Sequence, residues 1–153
     1  MAITIIDGDL FTTEANVICH QTNCQGVMGS GVAKGIKERY PEAYRQYRSL
    51  CNKTFPKDKL LGHAQAVHIY DEKKTIYNLF GQEKYGYDGK QYTSHEALEK
   101  CFKYVVENKA DGDIFAMPYR IGCDRGGGDW NIVYKMIEDI FVDCEVILYR
   151  WKG

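Results

Sequence analysis

Short apolar runs alternate with amphipathic stretches along the chain, and turn-forming residues separate them. That alternation predicts an α/β fold with a mixed, largely parallel sheet between layers of helices. Residues 3–6 and 17–20 read as the first two strands. Val32, Ala33, Ile36 and Tyr40 then share one helical face. Pro41 ends that helix and opens the next as a first-turn proline. The inward face of this second helix is Ala43, Tyr44, Tyr47, Leu50 and Cys51. Lys-rich 55–61, broken by Pro56, reads as a surface loop. Two strands, 64–70 and 75–80, flank the charged turn Asp71-Glu72-Lys73-Lys74. A Gly- and Tyr-rich loop covers 81–92, and Thr93 with Glu96 has capping-box spacing for a helix start. Leu98, Cys101, Phe102, Val105 and Val106 form the buried stripe of that helix. Residues 114–117 are a buried strand, Asp129 caps a last helix, and 145–149 form the closing strand.

The chain has 153 residues, which by length is one domain over 1–153. Twenty Lys and Arg against 21 Asp and Glu leave a net charge of −1, so a duplex nucleic acid is not an expected partner. No apolar run approaches the ~20 residues of a membrane span. The first residues lack a basic segment followed by an apolar core, so no signal peptide is expected and a cytoplasmic location is. The six cysteines form no Cys-x-x-Cys pair, and they read as small buried hydrophobes rather than disulfides or zinc ligands. No metal or cofactor is expected.

The candidate chemistry lies in two glycine-rich loops, Gly26-Val-Met-Gly29-Ser-Gly31 and Gly122-Cys-Asp-Arg-Gly126-Gly127-Gly128. Each follows a strand and precedes a helix, so both fall on the sheet edge where α/β folds bind ligands. Glycines let backbone N–H groups approach a phosphate, and a helix amino end favours its charge. Two such loops can hold two linked phosphates. Neither fits a common nucleotide fingerprint: Val32-Ala33 stands where a P-loop needs Lys and Ser/Thr. Asp7-Gly8-Asp9 places a carboxylate on the same edge, able to accept from an exocyclic amine or to cap a turn. His20-Gln21-Thr22-Asn23 brings a candidate general acid or base and a sugar-binding amide. Tyr85, Tyr87 and Tyr92 are placed to cover a ligand, and Tyr149 to pack on a flat base. The same Tyr/Lys loop leaves single-stranded RNA as a third reading.

These residues resemble a macro domain, the ADP-ribose-binding fold. The matching motifs are Asp7-Gly8-Asp9-Leu10, His20-Gln-Thr-Asn23-Cys-Gln-Gly26-Val-Met-Gly29-Ser-Gly31-Val-Ala33, and Ile121-Gly122 through Gly128-Asp129-Trp130. The chain is most similar to the branch containing ADP-ribose-1''-phosphate phosphatases and terminal ADP-ribose glycohydrolases. The resemblance implies a three-layer α/β/α fold that binds ADP-ribose and hydrolyses an ADP-ribose derivative, the 1''-phosphate or an ADP-ribosyl ester or adduct. It implies Asp9, beside Leu10, for the adenine amine and Asn23 for the distal ribose. Gly29, Ser30, Gly31 and Val32 would line one side of the diphosphate, Gly122, Cys123, Gly126, Gly127 and Gly128 the other, with Tyr149 the adenine wall. The catalytic candidates are His20, Asn23 and Asp124. The chain departs from the glycohydrolases of that branch, because Gln82 stands where their Lys would be and Gly126 where their Asp would be. That departure keeps a non-catalytic ADP-ribose reader as the alternative.

Overall fold

The computed structural model describes residues 2–151. Six strands form one sheet: β1 (Ala2–Asp7), β2 (Val17–Thr22), β3 (Ala64–Ile69), β4 (Lys74–Phe80), β5 (Ile114–Pro118) and β6 (Glu145–Arg150). Their order is β1-β6-β5-β2-β4-β3, and only the β3–β4 pair is antiparallel. Four helices cover the sheet: α1 (Gly31–Arg39), α2 (Pro41–Lys53), α3 (His95–Glu107) and α4 (Trp130–Ile140).

The strand alternation sorts two cores. Cys19 of β2 packs with Leu98 and Phe102 of α3 and Val133 and Ile137 of α4. Its neighbour Ile18 points the other way, into Ile36 of α1 and Ala43 and Tyr47 of α2. Helices therefore lie on both faces, giving the expected three layers. The six cysteines are buried and free, and burial pushes the Cys24 and Cys101 thiols up to about 12. No helix among the described residues is long and apolar enough to cross a membrane.

The elements match the hydrophobic periodicity closely, with two differences. The α3 cap is Ser94, whose hydroxyl accepts from Ala97 N, rather than Thr93. Residues 57–60 also form a short 3-10 turn that buries Leu60 inside the expected surface loop.

One feature of the sheet creates the site. The central strands β2 and β5 pair only at Val17–Phe115 and Ile18–Ala116, yet β2 runs on to Thr22 and β5 to Pro118. The strands part toward their carboxyl ends, where the chain leaves β2 for α1 on one face and β5 for α4 on the other. This is the topological switch point of the sheet, where an open α/β fold has its crevice.

Candidate functional site

The crevice is a cleft of about 870 Å³. Both glycine-rich loops reach it, together with Asp9 from the end of β1 and Tyr149 from the end of β6. Of the expected site residues, Asp9, Leu10, His20, Asn23, Gly29, Ser30, Gly31, Val32, Gly122, Asp124, Gly126 and Tyr149 line it. Cys123, Gly127 and Gly128 lie behind that lining. The Cys123 thiol turns into the α3–α4 core. A Cβ at Gly127 would meet the Lys90 carbonyl at 2.7 Å, and one at Gly128 the Gly122 carbonyl at 2.7 Å, so both pack inside the loop.

The first loop is shaped by Asn23 and Tyr47. Asn23 Oδ1 accepts from Gln25 N at 2.9 Å, and its Nδ2 donates to the Val27 carbonyl at 2.9 Å. Tyr47 rises from α2, fully buried, and its hydroxyl donates to Asn23 while accepting from the amides of Gly26 and Val27, each at 3.1 Å. The loop is thus pinned before it enters α1. Ser30 sits at the α1 N-cap but its side chain caps nothing, so the first-turn amides of α1 face the cleft without a side-chain acceptor. Those donors and the helix dipole favour an anion there. The two loops are not equivalent, because α4 is capped by its own Asp129, which accepts from Asn131 N at 2.9 Å.

The second loop brings charge instead. Arg120 is tied to Asp124 at 3.0 Å and to the Cys123 carbonyl. Arg125 makes no ion pair among the described residues; its guanidinium lies 4.6 Å from the centre of the Tyr87 ring. Tyr87 in turn donates to Ser30 Oγ at 3.1 Å. The middle loop therefore spans the cleft, one residue joining the two glycine loops. Tyr92, the third aromatic expected over a ligand, bonds Asp88 instead.

Asp9 serves two ends. One carboxylate oxygen caps the turn at residues 10–12 by accepting from Phe11 N at 2.9 Å. The other finds no partner among the described residues and is open to a donor in the cleft. Beyond β6, Trp151 stands exposed at the cleft wall beside Tyr149.

Where the departures from the glycohydrolase pattern fall, an amide network stands. Gln21 Nε2 donates to Gln82 Oε1 at 2.7 Å and to Thr93 Oγ1 at 2.8 Å, while Thr93 donates to the Gly122 carbonyl at 2.6 Å. Gln82 Nε2 is spent on the Lys84 carbonyl.

The Macro domain family model matches residues 19–137, the span that carries both glycine-rich loops. The chain belongs to the Macro domain family. Among curated macro relatives, it is 39% identical over 156 residues to the DNA ADP-ribosyl glycohydrolase of Mycobacterium tuberculosis, covering 99% of this chain and 43% of that protein. It is 52% identical over 50 residues to the ADP-ribose 1''-phosphate phosphatase of Ajellomyces capsulatus, covering 32% of this chain and 20% of that protein. The chain thus spans less than half the length of the curated relatives it matches. Among solved structures, the macrodomain of Mycobacterium tuberculosis DarG is similar with a TM-score of 0.78 and 26% identity, covering 97% of each chain.

Within this macro fold the surroundings of His20 fix its tautomer. Asn78 Nδ2 donates to the Ala43 carbonyl and to Gln65 Oε1, so its Oδ1 faces His20 Nε2 at 2.6 Å. The ring nitrogen there must carry the proton. Nδ1 is left as a bare lone pair, buried and without a partner among the described residues. Burial lowers the His20 pKa to about 4, outweighing the bond to Asn78 that favours the charged ring. Burial thus favours the neutral ring near pH 7, with its proton on Nε2. A folded-state pKa below the ordinary 6.5 stabilises the fold above about pH 6.5, and that stability is lost as pH falls toward 4. Denaturant titrations at pH 7 and pH 4.5 should show a loss of about 2 kcal/mol from this group. His20→Gln should show a flatter dependence, with the contribution of His63, whose pKa is also lowered by desolvation, remaining in both.

Proposed function

We propose that the cleft binds ADP-ribose and that the protein hydrolyses an ADP-ribose derivative, either the 1''-phosphate or an ADP-ribosyl ester or adduct, as one macro domain over 1–153. The observation that carries this reading is the pair of glycine-rich loops facing each other across the gap between β2 and β5. Between them a diphosphate meets the uncapped amides of α1 on one side and the Arg125 guanidinium on the other. Asp9 then accepts from the adenine amine, with Tyr149 beside it as the wall. The names of the phosphatase and glycohydrolase relatives support the substrate class.

In this reading the distal ribose reaches the floor formed by Asn23 and His20. The second amide hydrogen of Asn23 can hold a ribose hydroxyl. His20 backs that floor through its bond to Asn78, with its Nδ1 shut off from the cleft. On the rim, Asp124, ion-paired with Arg120, is the carboxylate this reading assigns to take a proton from an attacking water.

The alternative, an ADP-ribose reader without turnover, draws on the Gln21–Gln82–Thr93 network. That network fills the place of a catalytic Lys with amides that neither attack nor transfer protons. Calorimetry with ADP-ribose, run beside assays of phosphate release and de-ADP-ribosylation, separates the readings. Binding with turnover of either substrate is the expected result, and Asp124→Asn should slow it at least about tenfold without weakening binding. Binding without turnover on any substrate leaves the reader. Absence of binding removes both.

A further inference from the structure

The near-neutral charge of the whole chain conceals a strong segregation. Residues 31–59 carry eight Lys and Arg against three Asp and Glu, an excess of five positive charges, and the rest of the chain carries an excess of six negative charges. The positive segment is α1, α2 and the turn after them. On the outer face of α2, a shallow groove runs the length of the helix between Pro41 and Lys53. Tyr44, Arg45, Arg48 and Asn52 line it, and no carboxylate does. This groove is separate from the cleft, with no lining residue in common.

The cations there are not consumed by the fold. Arg45 is held by Glu42, but Arg48 and Lys53, and Lys37 on the neighbouring α1, have no ion pair among the described residues. All three are exposed, and Lys37 and Arg48 bracket one aromatic ring. The Lys37 ammonium lies 4.4 Å from the centre of the Tyr44 ring, and Arg48 donates to the Tyr44 hydroxyl at 2.9 Å. From Arg45 to Lys53 the track extends about 12 Å at the helical rise per residue.

We propose that this face of α2, with Lys37, is a docking track for a single-stranded nucleic acid. Arg48 and Lys53 on α2, with Lys37 on α1, offer repeated positive charge to a phosphodiester chain. The tyrosine among them adds a surface on which a base stacks once Lys37 swings to a phosphate. The track also leads toward the cleft. Cys51, two residues before Lys53, lies against the first glycine loop, where a Cβ on Gly26 would be 3.5 Å from its own. A strand on α2 thus has one end directed at that loop. The proposal stands on the charge pattern and groove alone, and does not depend on what the cleft binds.

The test is fluorescence anisotropy with a labelled 12-nucleotide deoxythymidine oligomer, competed by unlabelled RNA, duplex DNA and poly-glutamate. Three phosphate contacts give a slope of about −2 in log affinity against log salt, a loss of about fifteenfold between 50 and 200 mM. The double variant Arg48→Glu with Lys53→Glu should weaken oligomer binding at least about tenfold at 50 mM salt. Both positions are solvent-exposed, and a circular dichroism melt together with unchanged ADP-ribose calorimetry shows that fold and cleft are intact. Absence of binding at 50 mM salt, or binding indifferent to the double variant, overturns the proposal. Equal competition by poly-glutamate moves the partner to acidic protein, and tighter binding of duplex DNA contradicts the single strand; either result rejects it as stated.

Discussion

Gly126→Ala is expected to weaken ADP-ribose binding roughly thirty-fold while the protein remains folded. A Cβ at this position would collide with the Thr93 hydroxyl and stand 2.8 Å from the Gly122 carbonyl. The loop cannot retreat, because the Gly126 carbonyl is held by the amides of Tyr92 at 2.7 Å and Thr93 at 2.9 Å. It must either move into the cleft or break those bonds along with the Gln21–Thr93–Gly122 chain. Overpacking of this kind costs about 2 kcal/mol, which in affinity is the thirty-fold stated. The core packing of α3 and α4 lies outside the disturbed contacts, so a thermal melt should move by only a few degrees. Calorimetry on the variant and its parent is the check. Unchanged affinity would mean that the second loop does not grip the ligand.

Tyr47→Phe should damage both stability and binding, although the ring and its buried volume are kept. The single hydroxyl serves the Gly26 and Val27 amides and Asn23. Without it, two loop N–H groups lose their acceptor and Asn23 loses a donor, at a cost of about 2 kcal/mol and a fall in melting temperature of about 6 °C. The ring packing against Phe80, at 5.6 Å between centroids, is retained, so the loss isolates the hydroxyl. The loop ahead of α1 then samples other shapes, and ADP-ribose affinity should fall at least about tenfold. A variant that melts and binds like its parent would detach Tyr47 from the loop architecture.

The same residue marks where sequence reading stops. Its inward position on α2 followed from spacing with Ala43 and Cys51, but which polar group its hydroxyl serves depends on a loop 20 residues earlier. The fold was legible because every strand and helix carries its own hydrophobic period. The α3 cap was misplaced by one residue because Thr93 and Ser94 are both suitable hydroxyls. The choice is made by partners far along the chain, since Gln21 and Gly122 engage Thr93 and leave Ser94 to the helix. The glycine motifs located the cleft, yet glycine spacing does not say which way a loop faces, and Cys123, Gly127 and Gly128 face inward. The surroundings of His20 were hidden for a similar reason: its partner Asn78 and its burial both belong to the assembled sheet. Arg125 stood inside the second glycine motif without its role being visible, and Trp151 at the cleft had no motif to announce it. The basic face of α2 was present in the composition but cancelled in the total.

The central claim is that two facing loops hold one diphosphate at the gap between β2 and β5. Amide NMR spectra recorded during an ADP-ribose titration test it residue by residue. The account predicts the largest shifts at 29–32 and at Gly122, Arg125 and Gly126, saturating together, with smaller changes at Asp9 and Tyr149. Shifts confined to one loop, or centred away from both, would contradict it.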